Sequence, residues 1–250
     1  MKINLIRNAT MKFFYGGKVI LADPMLSKKG MIRSFLGKEK NPTVEMLIKI
    51  EDVMLEVDGV MISHTHPDHF DEAARESIPK DMKRFYQPYD RDKLTEFTNA
   101  VSVDKDVMWD KIKITRTKAM HGRGEALKRM GEASGFVLEA EGEPVVYWVG
   151  DSVLYEEIEG NIKNFNPDII ITHSGGAGFP DLGLIIMDDE ETIKICQMAP
   201  NSKVIAVHLE SLDHCPVTRE GLAKLAEEKN ISNLKIPKDG GDYNILSFIL

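Results

Sequence analysis

The 250-residue chain is 42% hydrophobic, enough for a substantial core, and has a formal charge of −8 from 32 basic and 40 acidic side chains. That balance disfavours nonspecific nucleic-acid binding, which relies on Lys and Arg to neutralise phosphates. No stretch approaches the roughly 20 apolar residues of a membrane-spanning helix, and the two cysteines, Cys196 and Cys215, lack Cys-x-x-Cys spacing and indicate neither a disulfide framework nor a thiolate zinc site.

The N-terminus, Met1 to Ile6, alternates apolar and polar residues and is too short for a signal peptide, so it reads as a first strand and the expected location is cytoplasmic. Strand-like runs follow at 12–15, 18–22, 57–63, 112–117, 134–140, 144–149, 168–173, 204–208 and 243–249. Helical patterns fall at 43–52, 71–77, 90–98, 153–163, 189–198 and 219–229. Asp188 with Glu191 has the spacing of a capping box before Ile193 and Ile195, and Thr218 is the expected N-cap of the last helix. No low-complexity linker or internal repeat divides the chain, so a single mixed α/β domain over 1–250 is expected. Trp109, Trp148 and the scattered methionines read as packing residues.

His64-Thr65-His66-Pro67-Asp68-His69 stands directly behind the apolar run Val60, Met61, Ile62. Three of the seven histidines thus fall in one hexapeptide at the end of a strand, where side chains can project together. Histidine is a common ligand of zinc, and a neighbouring carboxylate offsets part of the ion's charge. Alternation carries His64 and His66 to one side, while Asp68 and His69 lie past the Pro67 bend and can face a second ion. The other candidates follow the same rule. His121 lies beyond 112–117, Asp151 beyond 145–150, His173 closes 168–172, and His208 closes 204–207. In sheets with covered faces, ligands gather at strand ends, so this repetition argues for one shared site.

On these motifs, together with Arg7-Asn8-Ala9-Thr10, Leu21-Ala22-Asp23-Pro24, Gly150-Asp151-Ser152 and Ser174-Gly175-Gly176-Ala177, the chain resembles the metallo-β-lactamase-fold superfamily of metal-dependent hydrolases. Within it, the similarity is to small bacterial hydrolases near the ascorbate-6-phosphate lactonase type. The resemblance implies a four-layer αββα sandwich and two divalent metal ions, zinc first, with manganese or iron open. It assigns His64, His66 and His121 to one ion and Asp68, His69 and His208 to the other, with Asp151 bridging. His173 departs from the pattern, which has a non-ionisable residue such as Asn before the small-residue turn.

The implied activity is attack of metal-activated water on an ester, lactone, phosphodiester or amide of a small molecule. A metal-dependent nuclease and a noncatalytic metal-binding protein of the same fold are the alternatives. Asp68 is the candidate to orient the water or take its proton, so it is the expected catalytic residue. His173 and His214 are candidates for substrate contact, or for an outer-shell role in the case of His214. Asp23 reads as a hydrogen-bond acceptor supporting the metal loop. The segment from Ser27 to Pro42 holds Lys28, Lys29, Arg33, Lys38 and Lys40 against Glu39 in an otherwise acidic chain. It reads either as a solvated basic loop or as a mobile flap that receives an anionic substrate group on Arg33.

Overall fold

In the computed structural model, which describes residues 1–244, two mixed sheets pack face to face between layers of helix. The first half contributes β1 (Lys2–Arg7), β2 (Thr10–Tyr15), β3 (Lys18–Ala22), β4 (Gly59–Ile62), β5 (Lys83–Tyr86) and β6 (Ala100–Ser102). The second contributes β7 (Asp106–Trp109), β8 (Ile112–Ala119), β9 (Ala133–Glu139), β10 (Val146–Trp148), β11 (Ile169–His173), β12 (Gly178–Phe179), β13 (Gly183–Leu184), β14 (Lys203–Val207), β15 (Leu234–Lys235) and β16 (Gly241–Asn244). The helices are α1 (Ile50–Met54), α2 (Glu72–Ser77), α3 (Glu125–Met130), α4 (Glu156–Phe165), α5 (Asp189–Met198) and α6 (Arg219–Glu228).

The sheet orders are β16-β1-β2-β3-β4-β5-β6 and β15-β14-β11-β10-β9-β8-β7, with a separate β12-β13 hairpin. Each large sheet is antiparallel over one half and parallel over the other: β3 to β6 run parallel in the first, and β10, β11, β14 and β15 in the second. Parallel strands deliver their C-terminal ends to the same edge, which is the rim where the candidate ligands emerge.

Strand parity builds the layers. Successive side chains alternate faces, so Ile169 and Ile171 of β11 enter the core between the sheets, alongside Phe13, Ile20, Phe136 and Trp148. Ile170, between them, joins Tyr147 and Val204 against Ile158 of α4 and Ile195 of α5. On the other side, Leu21, Val60 and Ile62 pack with Val53 of α1 and Ala74 of α2. The result is the expected αββα sandwich. Thr218 and Asp188 cap α6 and α5 by accepting from the backbone N–H groups of Gly221 and Glu191.

Several regions differ from the periodicity, among them the short elements β6, β7, α3, β12, β13 and β15, which carry no expected run. The helix expected over 43–52 exists only from Ile50. Its earlier part is instead fastened across the chain, with Thr43 N–H donating to Ser211 O and Val44 O accepting from Arg7. The stretch 90–98 is a 3-10 turn, Pro88–Lys93. β5 escapes detection because Lys83 and Arg84 break its apolar pattern. Arg84 is nonetheless fully buried, donates to the carbonyls of Ile78, Pro79, Lys80 and Met82, and lies over the Phe97 ring at 3.7 Å. The strand expected at 243–249 begins within β16 and otherwise lies outside the described residues.

Candidate metal centre

β4 ends at Ile62, and Ser63 to His69 then turn across the rim. Two carboxylates fix this loop from beneath and from the side. Asp23, just past β3, accepts from Ser63 N–H (2.7 Å) and Ser63 Oγ (2.6 Å) and bonds His69 Nδ1 (2.7 Å). It has a positive φ of 40°, a conformation rarely held by a non-glycine residue unless its surroundings enforce it. The acceptor role expected of Asp23 is what the geometry contains. Asp90 is the second support, unseen in the sequence because it lay in a stretch read as helix. It accepts from Thr65 N–H and Thr65 Oγ and is itself held by Gln87 and Lys93.

The remaining candidates arrive from the second sheet. Asp151 follows Gly150, whose φ of 72° and whose approach to the Ser134 carbonyl, 2.4 Å from a built Cβ, leave no room for a side chain. His208 follows β14 with a φ of 62°, its N–H bonded to Asn8 O. His121 follows β8.

These elements bring two groups of donor atoms together. His64 Nε2, His66 Nδ1 and His121 Nε2 form the first, with His66 Nδ1 2.9 Å from His64 Nε2 and 3.3 Å from His121 Nε2. Ligands on a tetrahedral zinc at about 2.0–2.1 Å stand about 3.3 Å apart, so this spacing suits a cation. His121 is oriented by an Nδ1 bond to the Ile185 carbonyl (2.8 Å), which leaves the Nε2 lone pair facing the group; burial brings its pKa down to about 4 and keeps it neutral. Burial, followed by the nearby His69 and His66, holds the His64 pKa well below its usual value too.

The second group is His69, Asp151, His173 and His208, whose donor atoms lie within 4.8 Å of one another. Asp68 borders it, with Oδ2 3.5 Å from His69 Nε2 and 3.3 Å from His208 Nε2. His208 Nε2 is buried and makes no hydrogen bond among the described residues. Such an orphan is costly, and a cation is the partner that would satisfy it.

Asp151 lies between the groups. Its Oδ2 is 3.1 Å from His69 Nε2, 3.6 Å from His121 Nε2 and 3.9 Å from His64 Nε2. Burial opposes its charge, but His69, His208 and the bond from His173 hold it well below the ordinary carboxylate range. Asp68 is likewise low, against the cost of burial, because of His69 and His208. The same carboxylates raise the His69 pKa well above normal despite burial. A cation held by His69 would have to displace its proton, so affinity at that position would rise with pH.

A cavity of about 420 Å³ opens over the first group, lined by His66, Asp68, His121, Asp151 and His214 and by Arg33, Phe35, Met130 and Phe179. Arg33 is therefore at the cavity, and His214 lines it with its ring edge-on to Phe35 at 4.8 Å. His173 is not at the cavity. The parity that turns Ile169 and Ile171 inward turns His173 inward as well, where it is fully buried between Trp148 and Asp151.

The Ser27 to Pro42 segment reaches the cavity, but it is held down rather than free. Asp213 accepts from Ser34 Oγ, from the N–H groups of Phe35 and Leu36, and from Asn41 Nδ2, and these bonds hold its pKa below the carboxylate range despite burial. Arg129, Met130 and Phe179 had no motif to mark them; α3 and the β12-β13 hairpin carry them to the site from the far wall.

Similar proteins place this arrangement in context. The family model described as a beta-lactamase superfamily domain matches residues 18–209. The UPF0173 protein YddR of Bacillus subtilis (strain 168) is 36% identical over 252 aligned residues, covering 97% of this chain and 99% of that protein. Among solved structures, a "possible metal-dependent hydrolase" from Veillonella parvula DSM 2008 superposes with a TM-score of 0.95 at 29% identity, over 98% of this chain and 99% of the other. An isothiocyanate hydrolase from Delia radicum gut bacteria superposes with a TM-score of 0.91 at 33% identity, with the same coverage. The two solved structures are named as hydrolases, and none of these relatives singles out the ascorbate-6-phosphate lactonase type. Among the described residues, no helix is long and apolar enough to cross a membrane. The chain belongs to the metallo-β-lactamase superfamily and carries the His/Asp cluster of a dinuclear divalent-metal site, consistent with a metal-dependent hydrolase.

Proposed function

We propose that the protein hydrolyses a small molecule with an apolar body and an anionic group, using two divalent ions, zinc foremost. His64, His66 and His121 would hold one ion and Asp68, His69 and His208 the other, with Asp151 between them. The observation that carries this reading is the convergence of the two donor groups on Asp151 at the floor of an open cavity. Bound there, the pair would supply a water-derived nucleophile at neutral pH and polarise the scissile oxygen.

The chain's own residues do the rest. Asp68, ionised and facing the cavity, orients the attacking water and can take its proton. Phe35, Phe179 and Met130 receive the apolar body and exclude water. Arg33 offers a planar fork to a carboxylate or phosphate at the mouth. An ester or lactone with a remote acidic group fits these walls; a nucleic acid does not fit the net charge of −8.

A second reading rests on the isothiocyanate hydrolase at 33% identity and on the apolar walls. An isothiocyanate is a small electrophile whose central carbon accepts the same nucleophile, and a neutral one needs no arginine. Arg33→Ala separates the two. For an anionic ester or lactone, KM should rise about tenfold with metal content unchanged, the worth of one charge-assisted contact. A neutral ester and a neutral aromatic isothiocyanate assayed beside it should be unaffected. Equal effects on charged and neutral substrates, or none on either, would remove the anionic-substrate reading.

A further inference from the structure

His173 sits where two chemistries compete. Its Nδ1 falls among the donor atoms of His69, Asp151 and His208, so proximity alone would make it a ligand of the second ion in place of Asp68. Its other nitrogen decides the matter. Trp148 Nε1 lies 3.0 Å from His173 Nε2, and an indole N–H can only donate. His173 Nε2 must therefore present a lone pair. An imidazolium would set two N–H groups against each other at that distance, so the ring is neutral with its hydrogen on Nδ1. That hydrogen points at Asp151 Oδ1, 2.5 Å away. A nitrogen that carries a hydrogen has no lone pair left for a cation.

The arrangement is rigid. Trp148 and Ile171, two residues before His173, are partners in the parallel β10–β11 ladder. The indole is fully buried, with Phe13 and Phe136 at ring-centroid distances of 6.2 and 5.8 Å, so neither ring has room to turn.

We infer that His173 is a positioning residue, not a ligand: the chain from Trp148 Nε1–H through His173 to Asp151 Oδ1 fixes the bridging carboxylate so that its Oδ2 lies between His69 and the first histidine group. This rests on the two-ion reading above. It assigns the fourth protein position of the second ion to Asp68. It also gives a buried tryptophan in the sandwich core a part in aiming the metal centre, because the donor-only indole keeps His173 Nε2 free of hydrogen and holds the ring against Asp151.

The test begins without metal. Imidazole nitrogen NMR of the metal-free protein should show His173 with its hydrogen on Nδ1 and a bare Nε2. Finding the hydrogen on Nε2 in the wild type would overturn the inference whether or not the protein binds ions. With an NMR-active cadmium isotope loaded, coupling should reach the rings of His69 and His208 and be absent from His173; coupling to His173 would make it a ligand. His173→Leu removes the donor and should weaken cadmium binding about 10–100-fold, the usual cost of losing an outer-shell partner. His173→Asn, which restores an N–H at the Nδ1 position, should recover most of that loss. An Asn variant as defective as His208→Ala would overturn the inference. Absence of any cadmium binding in the wild type would defeat the two-ion reading alone, since the tautomer is read independently.

Discussion

Asp151→Ala should abolish binding at both metal positions and lower kcat/KM by at least about 1000-fold, about 4 kcal/mol of transition-state stabilisation. The effect is double because one oxygen, Oδ2, lies between the His69 side and the His64/His121 side. Removing it leaves His69 Nε2 and His173 Nδ1 facing a vacated buried position and takes away the charge that would offset two divalent cations. Replacing any one histidine of the first group removes a ligand from that group alone. His214→Ala is the control: the ring lines the cavity against Phe35 and belongs to neither donor group, so metal content should stay and substrate affinity change. Elemental analysis of both variants, with circular dichroism to show that they are folded, checks the pair. Equal loss of metal in the two would place His214 among the ligands.

Asp23→Ala has the second largest expected effect, and it acts on stability as well as on the metal. One fully buried carboxylate satisfies Ser63 N–H, Ser63 Oγ and His69 Nδ1. Deleting it strands Ser63 N–H and His69 Nδ1, leaves Ser63 Oγ only its contact with His64 Nδ1, and releases the loop that carries His64 to His69, at a cost of about 3–5 kcal/mol. The His69 ring also loses the partner that fixes its orientation, and affinity for the second ion should fall about 10–100-fold. Asp23→Asn keeps the shape and returns an acceptor for Ser63, but its amide offers no carboxylate to His69. It should therefore recover much of the stability and little of the affinity. Urea unfolding and chelator competition separate the two quantities. A variant that loses stability without losing affinity would show that the Asp23–His69 bond supports only the fold.

The rim of the sandwich is readable because five of the apolar runs deliver a His or Asp at or just past their ends, and strand parity then sets which way those side chains turn. Parity was also decisive for His173. Carried through to 173, the parity of Ile169 and Ile171 places the ring in the interlayer core with Trp148 and not at the substrate. Other features have no local signal. Asp90 supports Thr65 from 25 positions away, and Asp213 holds Ser34 and Phe35 across 179 and 178 positions. No periodicity records such pairings. Arg129 and Phe179 reach the cavity from short elements whose sequences read as loop. The helix expected over 43–52 failed for the same reason: its residues bond to Arg7 and Ser211, and tertiary partners outweighed local preference.

On the proposed reading the two donor groups hold two ions and hydrolysis depends on both. Protein purified without chelator and analysed for elemental content should carry close to two divalent transition-metal ions per chain. Exhaustive chelation should abolish turnover of ester, lactone and isothiocyanate substrates, and readdition of metal should restore it, with half-loaded samples showing that both positions are required. Full activity in protein verified to be free of metal would overturn the two-ion reading.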